Sequence, residues 1–272
     1  MRSSSKRAKN INTKPDKPLP LRVFITGASS GLGAALARHY AAQGAILGLA
    51  ARRQEQLVAL CATLPDAQPY PLDVCDSAAM QVAAADFIAR AGVPDVVIAA
   101  AGISVGTLTE YADDLAVFQA VMNTNVLGTV TTFQPFLLPM RTAGSGALVG
   151  IGSVAGIRGL PGGSAYSASK SALITYLESL RVELNGSGVQ VTTINPGYIT
   201  TPMTAVNPYR MPFIMSAEQA AAKIARIIGK RRTYATIPWQ MAIVAKLLRA
   251  LPRPLYDRLF ARAPRKPRQL PL

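Results

Sequence analysis

Residues 21–33 read Leu-Arg-Val-Phe-Ile-Thr-Gly-Ala-Ser-Ser-Gly-Leu-Gly. The apolar run Leu21–Thr26 predicts a strand, and Gly31–Gln43, rich in Ala and Leu, predicts the helix that follows it. Between them stand Gly27, Ala28, Ser29, Ser30, Gly31, Leu32 and Gly33, with glycines in a G-x-x-x-G-x-G spacing. Glycine permits the tight strand-to-helix turn and lets backbone approach a phosphate closely. A helix opening at Gly31 offers unpaired N–H groups and a positive dipole end, which suits a pyrophosphate. No Lys-Ser/Thr pair follows the glycines, which disfavours a nucleoside-triphosphate loop. A glycine turn alone can also be a turn without a ligand, so the rest of the chain must decide.

The same rhythm repeats along the sequence. Strands are expected at Ala45–Ala50, Pro69–Asp73, Asp95–Ala100, Gly146–Ser153, Val189–Asn195 and Thr233–Ile237. Helices are expected at Gln54–Thr63, Ser77–Ala91, across most of Asp113–Met140, at Ser164–Asn185 and at Ser216–Gly229. Strict β-α alternation predicts an α/β fold: one doubly wound parallel sheet of Rossmann type, helices on both faces, joined by right-handed crossovers. Apolar strands fit a sheet covered on both sides. The domain is expected over 21–238, with a basic, disordered leader over 1–20 and a basic helical extension over 239–272.

Composition narrows the function. The chain has 272 residues and a net charge of +15, distributed as +6 over residues 1–22, −3 over 23–222 and +12 over 223–272. A nucleic-acid-binding core would carry its charge in the fold, and this one does not; no specific nucleic-acid partner is expected. The basic ends suit anionic lipid, nonspecific polyanion contact or solubility. Two cysteines, Cys61 and Cys75, are too few for a disulfide framework. No secretory signal and no spanning segment is expected, which points to a cytoplasmic protein. No Cys/His/carboxylate cluster has ligand spacing, so no metal is expected. His39 reads as structural.

Two further patterns bear on chemistry. The second strand ends Leu49-Ala50-Ala51-Arg52-Arg53, where an NAD site usually places an acid on the ribose 2′-hydroxyl. Two guanidinium groups there favour the 2′-phosphate of NADP(H). Farther on, Ser164–Lys170 reads Ser-Ala-Tyr-Ser-Ala-Ser-Lys. On a helix, Tyr166 and Lys170 lie one turn apart on one face, with small residues between them.

With these residues in order, the chain resembles the short-chain dehydrogenase/reductase family over about 21–237. The resemblance rests on the glycine turn, on Leu72-Asp73-Val74 as the adenine contact, and on Ala99-Ala100-Ala101-Gly102 in place of Asn-Asn-Ala-Gly. It rests also on Asn125 in Asn123–Gly128, on Ser153, on Tyr166 and Lys170, and on Pro196-Gly197-Tyr198-Ile199-Thr200-Thr201-Pro202. It implies a catalytic set of Asn125, Ser153, Tyr166 and Lys170. It implies cofactor contacts from Gly27, Ser29 to Gly33, Arg52, Arg53, Asp73, Val74, Ala100, Gly102, Tyr166, Lys170, Pro196, Gly197, Ile199 and Thr201. Both family asparagines before Gly102 are replaced by alanine, which leaves backbone to make those contacts. The resemblance also implies a homo-oligomer, a dimer or tetramer, through the Asp113–Met140 and Ser164–Asn185 helices.

The chemistry explains the residue types. Reduction of a ketone needs hydride on carbon and a proton on oxygen. Free tyrosine titrates near 10, and a cation one turn away is expected to lower that value. Ser153 would hold the substrate oxygen. By resemblance, Lys170 would also bond the cofactor ribose, and Asn125 would orient a water that links Lys170 to solvent. The reading is an NADP(H)-dependent oxidoreductase acting on a carbonyl or secondary alcohol. Its rivals are an NAD-linked hydroxysteroid or fatty-alcohol dehydrogenase, a catalytically silent NADP-binding regulator and a polyanion-binding protein.

Residues Met203–Met215, with Val206, Tyr209, Met211, Pro212, Phe213 and Ile214, would form an apolar lid for a lipophilic substrate. Beyond the domain, Trp239–Leu251 is an apolar helix bearing Lys246 and Arg249, followed by a short helix Leu255–Ala263. At 1.5 Å per residue the first spans roughly 20 Å, short of a bilayer core of about 30 Å. Three roles stand open for 239–272: peripheral attachment to the inner face of an anionic membrane, a cover over the substrate mouth, or a subunit contact.

Overall fold

A computed structural model describes residues 19–268. The leader expected over 1–20 falls, apart from Leu19 and Pro20, outside the described residues. Each apolar run that sequence alternation marks as a strand enters one sheet. The strands are β1 (Arg22–Thr26), β2 (Ile46–Ala51), β3 (Ala67–Pro71), β4 (Val96–Ala99), β5 (Gly146–Ile151), β6 (Val189–Pro196) and, after two short strands, β9 (Tyr234–Ile237). All pair in parallel in the order β3-β2-β1-β4-β5-β6-β9. The winding reverses between β1 and β4, and the crevice at the carboxyl ends of those strands is where such sheets bind ligands.

Helices α1 (Gly31–Ala41), α2 (Gln54–Cys61) and α8 (Ala217–Gly229) cover one face. Helices α3 (Ser77–Ala91), α5 (Gly128–Ala143) and α6 (Ser164–Glu183) cover the other. The second layer is built on aromatic rings. Phe24 of β1 meets Phe87 edge-on at 5.5 Å and lies 4.8 Å from Phe136 and 5.6 Å from Tyr70 between ring centroids. These rings need room, and Gly48 of β2 supplies it. A Cβ there would stand 2.5 Å from the Phe24 ring and 2.7 Å from that of Phe87.

The stretch expected to be helical through Asp113–Met140 is interrupted. Helix α4 (Asp114–Met122) runs into a wide π turn over Asn123–Leu127 before α5 begins. The opened turn carries Asn125, whose side chain is drawn into bonds with two other segments. Such π turns gather at functional sites. Thr129 and Thr132 close the next turn by donating to the carbonyls of Asn125 and Gly128.

Other differences are local. Strand β3 starts and stops two residues earlier than expected, because Asp73 leaves the sheet and its carboxylate accepts from the Cys75 N–H at 2.9 Å. Sequence patterning missed the paired short strands β7 (Ile199–Thr200) and β8 (Met215–Ser216) and the helix α7 (Pro202–Ala205) between them. Helix α9 (Trp239–Ala250) lies close to expectation, while α10 (Arg253–Phe260) starts earlier, since Pro254 sits in its first turn where no N–H is needed.

The ring cluster yields a stability prediction. Phe87→Ala removes a fully buried ring that fills the space between β1, β2 and α3. It should cost about 3–5 kcal/mol, read as a lower urea midpoint with an unchanged slope. A loss under about 1 kcal/mol would show that the cluster collapses freely around the gap.

Candidate active site

The end of β1 makes the first wall. Gly27 has φ +69, and a Cβ on it would lie 2.7 Å from the Ala101 backbone. A Cβ on Gly33 would lie 2.3 Å from the Gly27 carbonyl oxygen. Side chains are therefore excluded, and the start of α1 is pressed against the strand ends. Ser30 precedes α1 in an extended conformation and provides no side-chain cap. The opening N–H groups are left for an acceptor from outside the helix. A pyrophosphate fits this cradle in both shape and charge.

At the end of β2 the two arginines part company. Arg53 donates to the Ser29 hydroxyl at 3.0 and 3.2 Å and also to Ser30, so its guanidinium stands against the glycine turn. Arg52 turns to Asp73, 3.8 Å away, in an exposed pair. Val74 is buried, and Gly128 leaves room for it, since a Cβ there would come within 2.6 Å of the valine. Ala99 and Ala100 continue β4 into the Gly102 loop, with the Ala100–Ala101 backbone against Gly27.

The second wall comes from β5 and α6. Ser153 follows β5, opens a short 3₁₀ turn, and its hydroxyl accepts from the Ala155 N–H at 3.1 Å. Tyr166 and Lys170 share a face of α6, with the ammonium 5.8 Å from the tyrosine ring centroid. Lys170 donates to the Ile151 carbonyl at 2.8 Å. Asn125 uses both amide protons, toward the Ile103 carbonyl at 3.0 Å and Ser169 at 2.9 Å. Its Oδ1 accepts from the Ile103 N–H at 2.8 Å. Gly102 is where these parts meet: a Cβ there would lie 3.1 Å from Asn125 Oδ1 and 3.7 Å from Lys170 Nζ.

Electrostatics depart from the sequence expectation. Burial pushes the Tyr166 hydroxyl up, and a hydrogen bond with Ser153 pulls the other way. Burial pushes Lys170 down to about 8. The Tyr166 side chain keeps some exposed surface. Within the chain alone, desolvation outweighs the attraction that was expected to stabilise tyrosinate.

The third wall follows β6. Gly197 donates to the Ile237 carbonyl at 2.7 Å, and Met241 of α9 sits where a Gly197 side chain would be. Pro196 ends β6, Ile199 is buried in β7, and Thr201 caps α7 reciprocally with Thr204. Thr201 also touches the glycine turn, its Cγ2 lying 3.2 Å from the point a Gly31 Cβ would occupy. In the expected lid, Met203, Val206, Phe213 and Ile214 keep exposed surface, and Tyr209 meets Tyr198 edge-on at 6.4 Å.

One component had no sequence signal. The tail after α10 folds back over the site. Arg268 makes a two-pronged pair with the buried Asp114 at 2.8 and 3.0 Å and stacks 3.5 Å over the Tyr111 ring. Gly106 donates to the Pro267 carbonyl. Lys266 donates to Ser104 at 3.0 Å and to the Met203 carbonyl at 3.2 Å, and burial pushes its ammonium down to about 8. Lys266 is thus a strap that joins the loop after β4 to the segment after β6. The tail of 239–272 packs on the loop after β4 and on the segment after β6. A cavity of about 610 Å³ lies at the opposite end of the sheet, lined by His39, Asp95 and Gly146, away from this chemistry.

The comparisons with known proteins agree with this architecture. The sequence profile described as short chain dehydrogenase matches residues 22–210. An uncharacterized oxidoreductase of Myxococcus xanthus is 40% identical over 240 residues, covering 86% of this chain and 94% of that protein. A short chain dehydrogenase of Burkholderia cenocepacia solved with NADP superposes with a TM-score of 0.77 at 25% identity, covering 88% of this chain and 97% of that one. A relative of Burkholderia phymatum solved with NAD gives 0.77 at 23% identity, covering 92% and 98%, a likeness of fold. The family uses a nicotinamide cofactor, and this chain, an oxidoreductase, belongs to the short-chain dehydrogenase/reductase family.

Proposed function

We propose that the protein is an NADP(H)-dependent reductase of lipophilic ketones or aldehydes, or equally the dehydrogenase of the matching alcohols. The observation that carries this reading is the convergence of Ser153, Tyr166 and Lys170 beside an uncapped helix start faced by Arg53. The nicotinamide cofactor, when bound, supplies or accepts the hydride. Gly27, Gly31 and Gly33 would seat its pyrophosphate, Arg53 its 2′-phosphate, and Asp73 and Val74 its adenine. Ser153 would donate to the substrate oxygen, and Tyr166 would pass it a proton. Lys170 would bond the ribose and hold positive charge behind Tyr166. Asn125 has both N–H groups engaged, so we assign it the positioning of the Gly102–Ser104 loop rather than side-chain orientation of a relay water.

The partly exposed apolar lid supports a lipophilic substrate. Leu115, Leu127, Leu138 and Val182 are each more than half exposed on the α4–α5 and α6 helices, which supports a homo-oligomer through them. The reading places the enzyme in the cytoplasm. An NAD-linked dehydrogenase is the second reading; the exposed Arg52–Asp73 pair favours it, since an arginine held by an acid is less free for a phosphate.

Three measurements follow. Tyr166→Phe should leave NADPH binding intact and lower turnover by about 10²-fold or more; near-normal turnover would remove Tyr166 from the chemistry. Arg53→Ala should weaken NADPH by roughly ten- to a hundredfold and barely change NADH, whereas Arg52→Ala should weaken both cofactors to a similar, smaller degree. Equal loss of both cofactors in the Arg53 variant would favour the second reading. The third is a pH profile. Burial pushes Lys170 down to about 8, so its charge is present below that pH and lost above it. The kcat/KM for NADPH reports groups on the free enzyme and should decline as pH rises through about 8. A profile flat to pH 10 would show that the Lys170 charge does not matter to cofactor capture.

A further inference from the structure

The hairpin of α9 and α10 turns apolar side chains outward that no other described segment covers. On α9, Trp239, Ile243 and Leu247 recur every four residues and are 68%, 50% and 64% exposed. On α10, Leu255 and Leu259 are 47% and 61% exposed. Four-residue spacing places each set on one helix face. The opposite faces are buried through Met241, Ala245 and Tyr256. Arg158 fixes the hairpin by donating to the Leu248 and Leu251 carbonyls at 2.9 and 2.8 Å, with its guanidinium 4.2 Å over the Tyr256 ring. The outward stripe is therefore part of a fixed platform.

Basic residues border that stripe. Lys246 and Arg249 fall on one flank of it on α9, and Arg258 and Arg262 project between and beyond the α10 leucines, all exposed. Asp257 is the one acid after residue 222, in a region of net charge +12. We propose that the α9–α10 hairpin is a docking surface for an anionic lipid bilayer. Trp239, Ile243, Leu247, Leu255 and Leu259 would enter the boundary between headgroups and acyl chains, and the bases would meet lipid phosphates.

Charge and length select this occupant. A second copy of the chain meeting the same surface across a twofold axis would set bases against bases. A polyanion would satisfy the bases and leave the apolar stripe in water. A bilayer with anionic headgroups satisfies both. Among the described residues no helix is long and apolar enough to cross a membrane, so the helices would lie in its plane. Met241 of α9 packs on Gly197, and the tail after α10 reaches Met203 of the lid through Lys266. Docking would therefore turn the cleft mouth toward lipid, a route for substrate that rests on the proposed reductase reading; the docking itself does not.

Trp239 is the single tryptophan of the chain and reports on its own burial. Full-length protein would be titrated with phosphatidylcholine vesicles and with vesicles that also contain phosphatidylserine, following Trp239 emission and cosedimentation. The expected result is a blue shift and pelleting with the anionic vesicles alone, weakening as salt shortens the Debye length from about 30 Å to about 3 Å. The pair Lys246→Glu and Arg249→Glu should weaken binding about tenfold or more. The pair Ile243→Ser and Leu247→Ser, at exposed positions that leave the core alone, should abolish the part that survives high salt. Four outcomes would overturn the proposal. They are no shift with anionic vesicles, an equal shift with neutral ones, the same response to heparin, which would mark a polyanion site, and a lipid-free shift that grows with protein concentration, which would mark a second copy. Because none of these readouts is activity, a failure here leaves the reductase reading standing, and the reverse holds too.

Discussion

The site depends on one close approach, that of the Gly27 backbone to Ala100 and Ala101 at the point where the sheet winding reverses. Any Cβ on Gly27 would overlap backbone at 2.7 Å, and its φ of +69 is one that side chains resist. Gly33 repeats the constraint one turn later against the Gly27 carbonyl. Together they seat α1 on the ends of β1 and β4 and aim its free N–H groups into the crevice. The approach also explains how alanines can stand where the family has asparagines before Gly102. Every atom in that approach is backbone, which alanine and asparagine share, so the exchange leaves it unchanged.

A second constraint holds the proton-handling wall in register with the first. Asn125 bonds both backbone groups of Ile103 and the Ser169 hydroxyl, which joins the loop after β4 to α6. Thr107 does the same at the start of α6. Its hydroxyl accepts from the Ala165 N–H at 3.1 Å and pairs with Ser164 at 2.9 Å. That helix opens without a cap of its own, so a residue from the β4 loop supplies one. Tyr166 and Lys170 are thereby fixed relative to Gly102 by bonds that are buried and, for Asn125, saturate its donors.

These features differ in how far the sequence reveals them. The parallel β-α alternation and the candidacy of Gly27, Ser153, Tyr166 and Lys170 follow from patterns and motifs that are local: apolar runs, a glycine turn, an i, i+4 pair. The π turn at Asn123–Leu127 does not, because helical periodicity continues through it and only a contact with Ile103, distant in sequence, opens it. The division of labour between Arg52 and Arg53 was equally hidden, since the two side chains are adjacent and alike; Ser29 and Asp73 decide it. Least legible was the strap. Arg268 and Asp114 stand 154 positions apart, in a basic tail where one arginine reads like the next, and nothing short of the folded chain pairs them.

The strap and the hairpin also explain where much of the charge after residue 222 goes: residues 239–268 hold eight Lys/Arg and one acid. Near the reacting end, burial lowers two lysines, Lys170 and Lys266, to about 8, so each stays charged at neutral pH but holds its proton less firmly than in water. The same desolvation raises Tyr166 and keeps its proton in place. A cleft with these properties suits an uncharged carbonyl awaiting a proton better than an anion awaiting a counter-charge. The exposed bases lie outside it, on α9 and α10, where solvent or a charged surface can meet them. Charge is thus kept at the periphery and desolvation at the cleft. The tail joins the two regions, because the segment that carries the bases ends as the strap on Ser104, Met203 and Asp114.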